Sequence, residues 1–102
     1  LCMGEFGRTP RINNSGGRDH YATAWSMALA GGGVQGGRVV GRTNADASVV
    51  TDRRVTIVDL LATVYDLLGI NYRRLRTIPG GRRIPFIDLQ TQEEPNILKE
   101  LL

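Results

Sequence analysis

The chain has 102 residues, room for one small domain at most. Hydrophobic residues make up 41%, which fits a globular fold rather than a disordered tail, and no apolar run approaches the roughly 20 residues that span a bilayer. The net charge is +3, and all but one of the 13 basic residues are arginine, the exception being Lys99. Arginine suits bidentate contact with oxyanions.

The apolar opening Leu1-Cys2-Met3 reads as a strand already under way, with no initiator Met, so an upstream part is expected. Cys2 is the single cysteine; it can form no internal disulfide or CxxC site, and a buried inert thiol is the default for such a setting. Gly4-Glu5-Phe6-Gly7 is a turn-forming stretch. Arg8 to Asp19 is polar and rich in Gly and Asn, with Pro10 disfavouring helix at Thr9, so it predicts a loop. Tyr21 to Ala30 turns apolar, and the partial alternation of Trp25 to Ala30 predicts a buried strand, with a helical turn around Tyr21 to Ala24 as the alternative. The glycine run from Gly31 to Gly37 cannot hold a helix. It lacks the Gly-Lys-Ser/Thr ending of a phosphate loop, and tight turning between two strands accounts for it. Arg38 to Thr43 predicts a short strand and Asn44 to Asp52 a polar connection.

Thr56 to Leu68 is the clearest element. Thr56 can cap a helix and Asp59, three residues on, can complete a capping box. Val58, Leu61, Ala62, Tyr65 and Leu68 share one face, Leu60, Val64 and Leu67 widen it, and Asp59, Thr63 and Asp66 are assigned to the wet side. Gly69 stands where a left-handed C-terminal residue is wanted. So wide an apolar face implies packing against more protein than this chain holds. Asn71 to Arg83 predicts loop, Ile84 to Ile87 a short extended piece, Gln90 to Pro95 a polar stretch, and Ile97 to Leu102 a turn or two of helix.

The candidate chemistry is sparse. His20 follows Gly17-Arg18-Asp19 at the end of a glycine-rich loop, the kind of place where α/β proteins build sites, and imidazole is a common metal ligand. Glu5 lies between two glycines, where a carboxylate could bind a cation or act as a base. Arg8 and Arg18 lie near both; either could neutralise an anion or pair with Glu5 or Asp19. The cluster Arg73, Arg74, Arg76, Arg82 and Arg83 suits an anionic ligand and equally a solvated basic edge. With only Tyr72 and Phe86 nearby, it lacks the interleaved aromatics of a nucleic-acid-binding module.

Three blocks, Gly4-Glu5-Phe6-Gly7-Arg8-Thr9-Pro10, Gly17-Arg18-Asp19-His20-Tyr21 and Leu29-Ala30-Gly31-Gly32-Gly33-Val34, resemble a bacterial (planctomycete-type) sulfatase-like family of the alkaline phosphatase and sulfatase superfamily. The helical stretch from Thr56 to Ile70 is similar to the superfamily's late helix, and Gly81 to Pro85 to its closing segment. The resemblance covers about residues 1–88, with 89–102 as a terminal tail. It implies the C-terminal part of one α/β domain, an α/β/α sandwich of which this chain holds few strands and one main helix at about 56–68. It implies export from the cytoplasm. It also implies a hydrolase of sulfate or phosphate esters that binds divalent metal ions (zinc, calcium or similar). His20 and Glu5 would be metal ligands, Arg8, Arg18 and Asp19 anion-binding or supporting groups, and Asp19 a partner for the His20 ring. The superfamily pattern at the first block is Asp-His-Gly; here Phe6 stands where a ligating His would, and carries no donor. The nucleophile of the superfamily lies nearer the N-terminus. Cys2 lacks the Pro and Arg that follow a formylglycine-type Cys, so no catalytic nucleophile is assigned. The expected partners are a small anionic ester and the missing N-terminal part of the fold, with no nucleic acid and no membrane segment. A fold kept for binding without catalysis is the alternative.

Overall fold

The structure is a computed structural model and describes residues 1–89 and 94–102; the polar stretch expected at 90–95 lies outside the described residues at 90–93. Among the described residues the protein mixes α and β: three small antiparallel pairs and one α-helix. It divides into two compact units, Leu1–Arg54 with Leu101 and Val55–Glu100 with Leu102. Among the described residues no helix is long and apolar enough to cross a membrane.

In the first unit, β1 (Gly7–Arg8) pairs with β2 (His20–Tyr21), and β3 (Arg42–Thr43) with β4 (Val50–Asp52). The expected opening strand is reduced to a single bridge, in which the Cys2 and Ala28 amides and carbonyls exchange hydrogen bonds of 2.8 and 2.9 Å. With so little ladder to cover it, Cys2 is exposed, correcting the expectation of a buried thiol. Trp25 to Ala30 does alternate between half-buried and exposed, but it is not a buried strand: among the described residues it pairs with nothing apart from the Ala28 bridge.

The expected connection at Asn44 to Asp52 contains β4. Its turn is held by side chains: Asn44 Oδ1 accepts from the Ser48 and Val49 amides (2.9 and 3.0 Å), and Asp46 Oδ1 accepts from the Ser48 hydroxyl at 2.6 Å. That hydroxyl, helped by the Ser48 amide, holds the Asp46 carboxyl below its ordinary pKa. The Tyr21 hydroxyl donates to the Ser48 carbonyl at 2.7 Å, which ties β2 to this turn.

In the second unit, α1 (Ile57–Leu67) lies where its sequence places it. Thr56 accepts from the Asp59 amide (3.1 Å) and the Asp59 carboxylate accepts from the Thr56 amide (2.8 Å), a complete capping box. At the other end the Gly69 amide donates to the Asp66 carbonyl and the Ile70 amide to the Tyr65 carbonyl, with Gly69 at φ +68°. This is the Schellman arrangement that needs a residue without a Cβ penalty. Ala62, Tyr72 and Ile87 form the core, with Val58, Tyr65, Leu89 and Ile97 against it.

The wet side of α1 is where the expectation fails. Asp59 and Thr63 are buried, while Leu61 and Leu68 are 41% and 65% exposed. The polar pair is buried because the segment after residue 94 is hydrogen-bonded onto it. Asp59 Oδ1 accepts from the Asn96 amide at 2.7 Å; Thr63 Oγ1 accepts from the Leu98 amide at 3.0 Å and donates to the Asp59 carbonyl at 2.7 Å. The Leu98 amide, in a buried residue, is a backbone donor that would otherwise lack a partner, and the Asn96 amide gains a part-buried one.

The expected loop at Asn71 to Arg83 contains β5 (Leu75–Thr77), which pairs in register with β6 (Arg83–Pro85) across a turn closed by Ile78 and Gly81. The last element is a single 3₁₀ turn at Lys99–Leu101, inside the stretch where a turn or two of helix is expected. Of the basic cluster, Arg73 pairs with Glu94 at 2.7 Å and lies over the Tyr72 ring, and Arg76 lies over Phe86. The Glu94 hydrogen bond raises the Arg73 pKa further. Both partners of the pair are exposed, so solvent and side-chain entropy offset its attraction. Arg73→Ala is expected to leave the melting temperature unchanged within error in a calorimetric scan.

Candidate functional site

The hairpin β1–β2 pairs Gly7 with Tyr21 and Arg8 with His20. Residues directly opposite, and those two apart diagonally, share a face of an antiparallel pair. Phe6, two residues before Arg8, therefore comes onto the face of His20. The rings stack with centroids 3.7 Å apart and planes 22° apart. The Arg8 guanidinium lies 5.6 Å from the Phe6 centroid, within cation–π range.

Gly7 makes this register possible. A Cβ there would run into the Ala24 carbonyl oxygen and come within 3.0 Å of Trp25 Cβ and 3.2 Å of the Tyr21 carbonyl oxygen. The chain returning after β2 crosses directly over Gly7, so only a residue with no side chain fits.

The loop that precedes His20 holds itself. Asn13 Oδ1 accepts from the Ser15 and Gly17 amides at 3.0 Å each, and Asn13 Nδ2 donates to Asp19 Oδ1 at 2.9 Å. Arg18 Nη1 donates to the carbonyls of Thr9 (2.7 Å) and Pro10 (2.5 Å), and Arg8 Nη1 to the Arg18 carbonyl (3.3 Å). The Thr9 amide donates to the Asp19 carbonyl at 3.0 Å, extending the hairpin by one bond. Arg8, Arg18 and Asp19 thus all bond within the loop. The Asp19 carboxylate is bonded to Asn13 rather than to the imidazole it was expected to orient.

His20 is exposed, and among the described residues neither of its ring nitrogens has a hydrogen-bond partner. Glu5 is exposed and likewise makes no hydrogen bond or ion pair among the described residues. An imidazole and a carboxylate, both unengaged, fit a borderline divalent cation by donor chemistry. Two donors fall short of the four that a tetrahedral ion takes, and no group of three or more His, Cys, Asp or Glu able to hold a metal ion is found among the described residues. The chain offers part of a coordination sphere. What sequence reasoning missed is the stacking role of Phe6 and the steric role of Gly7. The alternation of Phe6 and Arg8 on one strand, opposite His20 on the next, is the signal that points to the first.

Compared with known proteins, the chain matches the family model described as "Protein of unknown function (DUF1501)" over residues 1–101. No curated protein and no solved structure gives a significant match.

Proposed function

The chain belongs to the DUF1501 family, and for it we propose a role as the metal-binding part of a hydrolase of sulfate or phosphate esters, one that supplies ligands but not the nucleophile. The observation that carries this reading is His20: held by a ring stack, exposed, and with no hydrogen-bond partner for either nitrogen among the described residues. Glu5, one residue before the stacked Phe6, is the second ligand. The remaining ligands and the nucleophile belong to the rest of an alkaline phosphatase and sulfatase-like α/β/α sandwich, and the exposed Leu61 on α1 and Leu68 at its C-terminal cap suit packing against it. When bound, a divalent ion polarises the ester and stabilises charge on its oxygens. Arg8 spends one of its donors on the Arg18 carbonyl and keeps others for the anionic group of the ester.

The ring of Phe6, which carries no donor, favours a second reading in which the fold binds an anionic ester without cleaving it. Both readings are tested on the intact protein. Elemental analysis of the wild type and of His20→Ala is expected to show bound divalent metal reduced in the variant, and assays with aryl sulfates and aryl phosphates to show turnover reduced with it. Equal metal content in the two proteins sinks the proposed site; metal lost without any wild-type turnover selects the binding protein.

A further inference from the structure

Arg73, Arg74, Arg76, Arg82 and Arg83 crowd into one part of the second unit. Arg73 is taken by Glu94, while Arg74, Arg82 and Arg83 are exposed and have no ion pair among the described residues. Asp88, the other carboxylate nearby, lies beyond the end of β6. The hairpin β5–β6 arranges these side chains. Its register sets Arg76 opposite Ile84, so Arg74, two residues before Arg76, and Arg82, two before Ile84, come onto the Arg76 face. Leu75 and Thr77 take the opposite face.

The same register leaves one strand edge open. The Ile78 amide donates to the Arg82 carbonyl, and the bonds of an antiparallel pair alternate along the strand. Arg76 is therefore bonded to Ile84, while Leu75 and Thr77 aim their amides and carbonyls away from β6. The sheet has two strands, and every residue of β5 is exposed. The outer edge of β6 is not equivalent: Pro85 falls where an outward amide would be and has no N–H. An open edge that offers both donors and acceptors is a template for a further strand. A second copy of the chain does not suit it, because β5 beside β5 sets arginine against arginine. Nor do the aromatic rings offer stacking faces to nucleic acid: Tyr72 is buried, and Phe86 packs on Tyr65 with Arg76 over its ring. An incoming strand of opposite charge suits both the edge and the arginines.

We infer that β5 is a docking edge for an extended acidic segment of another protein, which adds beside it as a third strand. Acidic side chains at alternate positions of that segment lie against Arg74 and Arg76, and the apolar positions between them lie against Leu75, which is 44% exposed. Main-chain bonds to Leu75 and Thr77 supply the affinity, and the arginines select the partner. The surface lies in the second unit and does not depend on the His20 site.

The test uses the intact protein and a short capped peptide that alternates Glu and Val, with binding read by fluorescence anisotropy. The same peptide methylated at alternate backbone nitrogens keeps the charge but cannot pair along one edge, and an oligothymidylate of equal charge stands for nucleic acid. The plain peptide is expected to bind and to slow hydrogen exchange at the Leu75 and Thr77 amides. The methylated peptide should bind about tenfold or more weakly, for the loss of main-chain hydrogen bonds. Replacing both Arg74→Gln and Arg76→Gln should weaken the plain peptide about 2–25-fold, the range for two cross-strand charge pairs, while Arg38→Gln, exposed in the first unit, leaves it unchanged. If the double variant does not fold, the two peptides on the wild type decide alone. No binding by the plain peptide overturns the inference, as does exchange at Leu75 and Thr77 that the peptide leaves unaltered. Equal affinity for the plain and methylated peptides overturns it in favour of attraction by charge alone. Oligothymidylate bound as tightly as the peptide overturns it in favour of nucleic acid, and wild-type affinity in a folded double variant removes the arginines from it.

Discussion

Gly7→Ala is expected to cost about 3 kcal/mol or more, at the upper end of what overpacking does, and to dismantle the His20 site without altering any residue that touches the imidazole. The added methyl would meet the Ala24 carbonyl oxygen first, then Trp25 Cβ and the Tyr21 carbonyl. Two of those three neighbours are backbone atoms, which cannot swing aside as the end of a long side chain can. The backbone at Gly7 is not left-handed, so the penalty is purely steric. Relief requires either the crossing chain to lift off or β1 to leave β2, and the second separates Phe6 from His20. Gly32→Ala is the control, since a Cβ there meets nothing within 4 Å and Gly32 has no positive φ. Urea denaturation should show a clear fall in midpoint for Gly7→Ala and little change for Gly32→Ala. Equal midpoints for Gly7→Ala and wild type would falsify the crossing geometry.

Asp59→Ala is expected to cost about 1–3 kcal/mol, combining a lost cap with the loss of a part-buried hydrogen bond from the Asn96 amide. One carboxylate oxygen accepts from the Thr56 amide at the start of α1, and the other accepts from Asn96. Asp59→Asn is expected to be costly too, because its amide nitrogen would present a donor to a donor at one of those two positions. Hydrogen exchange separates this account from a simple loss of helix. Protection should fall at Asn96 and Leu98 in step with the first turn of α1. Loss confined to residues 57–60, with Asn96 still protected, would show that the C-terminal segment is held by something else.

The helix was legible in the sequence because its signals are local: Thr56, Asp59 and Gly69 each act within a turn of their own position. The burial of Asp59 and Thr63 was not, because their partners are backbone amides of Asn96 and Leu98, and a backbone amide leaves no trace in residue identity. The hairpin β5–β6 escaped for another reason. Every residue of β5 is exposed, so there is no alternation between dry and wet sides to read. Trp25 to Ala30 is the converse, with alternation but almost no pairing. At the site, His20 and Glu5 were legible as donor types in glycine-rich surroundings. Their supports were not: the stack on Phe6 depends on a register in which Arg8 faces His20, and register is set by the hairpin as a whole.

The bonds that carry the C-terminal segment onto α1 also set an order of events during synthesis. Asp59 and Asn96 are 37 positions apart, and Thr63 and Leu98 are 35 apart. At about 5–20 residues per second the ribosome takes about 2–7 s to cover that interval, whereas a helix relaxes within about 1 μs. For those seconds α1 has its own capping box but lacks the tail that is hydrogen-bonded onto Thr63, and an eleven-residue helix without tertiary support is marginal in water. The second unit therefore consolidates only when Asn96 and Leu98 have emerged, and a ribosome that stalls before Asn96 holds a helix start with its cap made and its Asp59–Thr63 side still wet.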